Sequence, residues 1–298
     1  MAKTAYMFPG QGSQKVGMGR TAFERSRGAR ELFQRASEIL GFDVAKLCFE
    51  GPEEQLNDTR YTQPALFVAE MAIVEALREN DELERPEFVM GHSLGELMAL
   101  AFAGVFSFDD GVLLVRERGR LMAEAGEKRP GKLAAIIGLP REKVEEVVSD
   151  VPGIVVAANI NSPIQVVISG ESEAVEQAAK LAKERGARRA VVLKVSVASH
   201  SPLMSEAAEK FRNVLESVNF NPPQFPVIQN ATARPTSDPN EIKENLARQL
   251  VSPVLWVDSV RYAHENGVTR FVEIGPGKVL TGLVKQTLKG VELINIEG

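Results

Sequence analysis

Short apolar runs alternate with longer amphipathic stretches along most of the chain, which predicts strands and helices in turn. Residues 4–8 (TAYMF) read as a buried strand running into the glycine-rich segment 9–19, PGQGSQKVGMG. Helical spacing follows near 28–40 and 63–80. Residues 87–90 (EFVM) predict a strand, and 95–105 (GELMALAFAGV) a buried helix after a tight turn. A further helix is predicted over 107–125, opened by the capping box Ser107-x-x-Asp110. The pattern then changes. Strand 132–139, helix 141–150, strands IVVAANI and IQVVISG joined through Asn161-Ser162-Pro163, helix 171–186 and strand 189–197 give the order β-α-β-β-α-β. That is the ferredoxin-like unit, and it predicts a small inserted domain over residues 127–196. After residue 200 the chain returns to helix, strand (FPVIQN), helix, strand (RFVEIG) and a final helix. Alternation on both sides of the insert predicts one α/β main domain with a parallel sheet, built from 1–126 and 197–298.

Composition narrows the function classes. At 298 residues with 44% hydrophobic and 25% charged positions, the chain has the make-up of an ordinary globular protein. A net charge of −5 gives no basic footprint for nucleic acid. Cys48 is the only cysteine, which excludes an intramolecular disulfide and a multi-cysteine metal site. The first residues make a poor signal peptide, and the longest apolar run, 97–106, is about half the length of a membrane span. A cytoplasmic protein with no membrane or nucleic-acid partner is expected.

Chemistry enters at Gly91-His92-Ser93-Leu94-Gly95, the Gly-x-Ser-x-Gly spacing of a nucleophile elbow, set between a predicted strand and a predicted helix as that motif requires. A serine hydroxyl is a weak nucleophile and needs a base, usually histidine. The chain has three. His92 adjoins Ser93 on a sharp turn, where successive side chains point apart. His264 lies on a polar helix. His200 lies in KVSVASHSPLM, where a strand ends and Ser201-Pro202 open a helix. A strand-to-helix junction faces the ligand crevice of an α/β protein, so His200 is the expected base. No acid between Ser93 and His200 stands out as a third member. Asp150 falls in the insert, and Asp109 and Asp110 fit a helix N-terminus. A backbone carbonyl would serve to fix the imidazole instead.

Two further features remain open at this level. At about 100° per residue, Arg118 falls on the apolar face of its helix, between Leu114 and Leu121. It is either half of a structural ion pair or the grip on a substrate carboxylate, held bidentately by the planar guanidinium. The 9–19 loop fails both the dinucleotide and the P-loop patterns. It is either a plain tight turn or, beside the elbow, a source of oxyanion donors.

Taken together, FPGQGSQ (8–14), YTQPALF (61–67), GHSLGE (91–96), RERGRLM (116–122), NINSPIQVVISG (159–170), SVASH (196–200), RQLVSPVLW (248–256) and EIGPGKVLTGL (273–283) resemble the malonyl-CoA:acyl carrier protein transacylases of bacterial type II fatty acid synthesis. The resemblance runs in order over nearly the whole chain. It implies an α/β-hydrolase-like main domain with a ferredoxin-like insert. It implies that Ser93 carries the malonyl group as an ester, with His200 as base. The backbone N–H groups of Gln11 and Leu94 would form the oxyanion hole. Arg118 would bind the malonyl carboxylate, and Gln249 would orient His200 through its main-chain carbonyl. Asn161 and Gln63 would line the pocket. One departure is noted: Val197-Ala198-Ser199-His200 carries Ser where some acyltransferase domains of larger synthases carry Phe with malonyl and Ser with methylmalonyl. Stand-alone malonyl enzymes also carry Ser there.

The implied reaction is a ping-pong transfer from a CoA thioester to the phosphopantetheine thiol of acyl carrier protein, with no metal or other cofactor, by a chain expected to be monomeric. The alternative is a serine esterase or thioesterase on the same fold; a catalytically silent carrier-binding module is a third reading. An acidic carrier calls for a basic patch, for which Lys128-Arg129, Arg188-Arg189, Lys278 and Lys285 are the candidates.

Overall fold

A computed structural model describes residues 2–298 apart from 194 and 196. Its strands are, in chain order, β1 (Lys3–Phe8), β2 (Phe88–Gly91), β3 (Gly131–Ile137), β4 (Val155–Ser162), β5 (Gln165–Glu171), β6 (Arg189–Val192), β7 (Val227–Ile228), β8 (Val268–Ile274) and β9 (Glu292–Ile296). They form two sheets. The main sheet has the order β7-β2-β1-β8-β9, and every pairing in it is parallel. The second has the order β4-β5-β3-β6 and is antiparallel.

The period-2 geometry of a strand sends alternate side chains of β1 to opposite faces. Tyr6 and Phe8 enter a large cluster with helices Thr59–Glu79, Gly95–Phe102 and Phe108–Lys128. Ala5 and Met7 enter another with Trp256, Phe271 and Leu283. A strand covered on both sides must be apolar throughout, which is why TAYMF shows no alternation. The small sheet buries one face under helices Arg141–Ser149 and Ser172–Glu184. It is tied to the main body at Val254, which donates to Ala158 O and accepts from the Ile160 N–H, both at 2.9 Å. The loops after β1 and β2 and the face of the small sheet turned away from its helices border one cleft of about 1390 Å³.

Several elements differ in extent or number from the sequence reading. The helix expected at 63–80 begins at Thr59, because Asp58 caps it by accepting from the Arg60 N–H; Pro64 mimics a first-turn proline but sits in the second turn. The helix expected to reach 105 stops at Phe102, and Gly104, at φ 76°, reverses the chain. β6 spans Arg189–Val192; residues 194 and 196 of the expected strand 189–197 lie outside the described residues. β9 is an additional edge strand after the last helix, too short and too partly buried for its pattern to announce it. Among the described residues no helix is long and apolar enough to cross a membrane.

Candidate active site

The elbow is built by a backbone that only certain residues allow. β2 ends at Gly91, the helix Gly95–Phe102 begins four residues later, and Ser93 between them is held at φ 53°. That left-handed conformation costs a non-glycine residue about 1–2 kcal/mol, and it lifts Oγ out of the turn. A Cβ on Gly95 would lie 2.0 Å from the Phe8 carbonyl oxygen, so β1 and the elbow meet only across glycine. Asn230, at the end of FPVIQN, clamps the turn. Its Oδ1 accepts from the Ser93 N–H at 2.7 Å and its Nδ2 donates to Gly91 O at 2.6 Å. The sequence reading did not identify Asn230. Asn230→Ala strands a buried donor and acceptor and should lower stability by about 1–3 kcal/mol, read as a drop in Tm, with a matching loss of serine reactivity.

His200 is 107 residues from Ser93 in sequence, yet its Nε2 lies 2.7 Å from Ser93 Oγ. It too has a positive φ, 60°, at the bend before the Pro202–Met204 turn, whose cap is Ser201. Its Nδ1 lies 2.9 Å from Gln249 O and 3.2 Å from Ser252 O. Carbonyls only accept, so Nδ1 carries the proton and the Nε2 lone pair faces the serine hydroxyl. Two backbone carbonyls thus stand where a triad acid would. Burial, and then the Arg118 charge, push the His200 pKa down to about 3. A lowered pKa means that the neutral base persists as pH falls. An NMR titration of the His200 ring nitrogens should show no protonation between pH 5 and 8. His92 faces away, with Nε2 2.8 Å from Asn161 Oδ1 and its ring against Trp256. His264 meets Val268 O.

Arg118 is 1% exposed, and among the described residues no carboxylate lies within ion-pair distance of it. A direct ion pair is therefore absent, and the buried carboxylate that acts on Arg118 is Glu96, on the far side of the Gln249 amide. Its Nη1 donates to Gln63 Oε1 at 2.9 Å, and its Nη2 to Gln249 Oε1 at 2.9 Å and to Ser93 Oγ at 3.2 Å. Its Nε is buried without any partner. Arg118 lines the cleft beside Ser93, with Gln11, Asn161 and His200. Gln63 is fully buried and serves the arginine instead of lining the pocket.

The 9–19 loop lies against the elbow. A Cβ on Gly10 would fall 2.3 Å from His92 O and 3.6 Å from the Leu94 nitrogen. Among the described residues no backbone acceptor meets the N–H of Gln11 or Leu94. The Ser93 N–H, held by Asn230, is not free to join them.

A serine on a strained turn, a histidine at hydrogen-bond distance and backbone N–H groups beside them are the parts that acyl transfer through a serine requires. The acyl transferase domain family matches residues 5–297, and the chain belongs to it. The chain is 44% identical over 299 residues to a malonyl CoA-acyl carrier protein transacylase of Bacillus subtilis, covering 99% of this chain and 94% of that protein. The crystal structure of an acyl carrier protein S-malonyltransferase from Vibrio cholerae superposes with a TM-score of 0.95 at 45% identity, covering 99% and 97% of the two chains. A malonyl-transacylase in complex with its type II PKS acyl-carrier protein superposes with a TM-score of 0.96 at 43% identity, covering 99% and 96%.

Proposed function

We propose that this chain moves a malonyl group from CoA to the thiol of acyl carrier protein, through an ester on Ser93, for fatty acid biosynthesis. The observation that carries the substrate is Arg118: a buried guanidinium with an unpartnered Nε, no carboxylate in direct contact among the described residues, and one nitrogen 3.2 Å from the nucleophile. Full-length likeness to malonyl transacylases supports the same reading.

Ser93 Oγ attacks the thioester carbonyl and its proton passes to His200 Nε2. The oxyanion is met by the N–H groups of Gln11 and Leu94, each worth about 3 kcal/mol by analogy with other such donors. The C–S bond breaks and the proton passes from His200 to the departing CoA sulfur. The carrier thiol then enters, loses its proton to His200, attacks the ester and returns the serine. Both halves exchange one acyl group and one proton, so neither redox chemistry nor a metal is called for. Gln249, through its carbonyl, orients His200; Asn161 lines the cleft and takes the hydrogen bond of His92.

Residues 127–196 form a ferredoxin-like unit, supported by the order β6-β3-β5-β4 with helices on one face. Residues 1–126 and 197–298 form the α/β-hydrolase-like part. Of the basic candidates for the carrier, Lys128 is engaged by Glu206 at 2.9 Å, whereas exposed Lys278 directly precedes the cleft-lining Val279 and Leu280.

The test is intact-protein mass spectrometry after mixing with malonyl-CoA. One malonyl group should appear on Ser93, discharge rapidly to acyl carrier protein and slowly to water. Immediate loss to water would favour the thioesterase reading.

A further inference from the structure

Glu96 is a buried carboxylate that the acyl-transfer steps leave unused. It sits in the first turn of the helix after the elbow and is 1% exposed. Its Oε2 accepts from Gln249 Nε2 at 2.6 Å and from the Asn230 N–H at 3.1 Å; its Oε1 has only a 3.4 Å contact from Gln229 Nε2. Arg118 lies on the far side of the same Gln249 amide, donating to its Oε1 at 2.9 Å. The amide has a forced direction. Its NH₂ also donates to Ser93 O at 3.0 Å, so two acceptors hold the NH₂ on one side and leave the C=O for the guanidinium. Carboxylate and guanidinium therefore form an ion pair one amide apart. A direct pair would satisfy Arg118 and block it. The relayed pair keeps a counter-charge in the core while the guanidinium stays open to the cleft.

A substrate carboxylate reaching Arg118 would place a second anion on one buried cation. Two buried anions sharing one cation are costly unless one of them is neutralised. We propose that Glu96 is the counter-charge of Arg118 in the empty cleft, and that it takes a proton from solvent when a malonyl carboxylate replaces it. The inference rests on the malonyl reading above. Its proton forms an O–H bond on Glu96, most simply at Oε1, the oxygen with the weakest contact. Among the described residues the elements around Glu96 supply one cation, Arg118, and beyond Gln249 the neutral His200; Gln229, Asn230 and Gln249 are uncharged. Burial already lifts the Glu96 pKa to about 7, against the pull of its hydrogen bonds and of Arg118. At neutral pH the exchange is therefore nearly balanced.

The sign follows. Below pH 7 Glu96 is already protonated and malonyl binding is independent of pH. Above pH 7 binding must take up a proton, so malonyl affinity falls with rising pH by up to about tenfold per unit. Acetyl-CoA, lacking the carboxylate, has no such dependence. Calorimetry of malonyl-CoA binding to the Ser93→Ala protein, in buffers of different ionisation heat at pH 8, should register uptake approaching one proton. Acetyl-CoA should register none, and Ser93→Ala/Glu96→Gln should lose the uptake while binding malonyl-CoA more tightly at that pH. Absent uptake, uptake unchanged by Glu96→Gln, or equal uptake with acetyl-CoA would overturn the proposal. If the double variant does not fold, the wild-type KM decides. It should rise with pH above 7 for malonyl-CoA and stay flat for acetyl-CoA, and a flat malonyl profile overturns the inference. A wild-type protein that forms no malonyl ester would instead overturn the malonyl reading itself.

Discussion

Ser93→Ala is expected to lower malonyl transfer by roughly 10⁴–10⁶, the range seen when a serine nucleophile acting with its base is removed. The substitution deletes one oxygen, the one 2.7 Å from His200 Nε2 and 3.2 Å from Arg118. The left-handed turn, the Asn230 clamp and the backbone donors beside it all remain. The folded protein should therefore bind malonyl-CoA and carry no acyl group, which mass spectrometry and a carrier-loading assay read separately. His200→Ala should cost a similar factor, and the double variant little more than either single, because base and nucleophile act as one unit. Additive losses would mean that His200 is not the partner of Ser93 in the transfer step.

Much of this site is legible before any fold is known, and the reason differs by residue. Ser93 is announced by glycines that steric contact demands: the chain crosses the end of β1 so closely that Gly95 has no room for a Cβ. His200 emerges because only three histidines exist and two stand in poor places. Arg118 is visible as a charge at an apolar helical position. The residues that hold these three are much less legible. Asn230 ends an unremarked apolar strand, and nothing in VIQN signals that its amide will grip a turn 137 residues away. Glu96 falls within the GHSLGE segment, where a carboxylate in a first helical turn needs no special reason. Gln249 reaches His200 through a carbonyl that every residue has, so only family likeness could nominate it. Side chains that act through backbone atoms, or that bridge distant segments, leave no periodicity or spacing to read. The strand order has the same limit: β9 lies beside β8 as a short parallel edge, and its pairing is non-local.

In the proposed reaction Arg118 selects malonyl over uncharged acyl groups, and Arg118→Ala should show it. In the native site the malonyl carboxylate would meet the free Nε and the cleft-facing side of a guanidinium already fixed by Gln63 and Gln249. Without the arginine that carboxylate would be buried unpaired, which typically costs about 3–5 kcal/mol. At 1.4 kcal/mol per factor of ten, kcat/KM for malonyl-CoA should fall by a factor of roughly 10² to a few thousand. The acetyl rate should move in the opposite direction or not at all, because an unpaired buried cation no longer faces its methyl group. The expected result is a collapse of the malonyl-to-acetyl ratio, measured as the rate of ester formation on Ser93 with each thioester. Removing the arginine also leaves Glu96 with no cation, so its proton should be held more tightly and the enzyme should carry a neutral core at pH 8. A variant that lost activity equally toward both thioesters would mean that Arg118 holds Gln249 and Ser93 in place without contacting the acyl group. A variant that kept its preference for malonyl would require a second cation in the cleft, and among the described residues that line it the only other positive side chain is Arg60, whose guanidinium is engaged by Asp58 and Glu127.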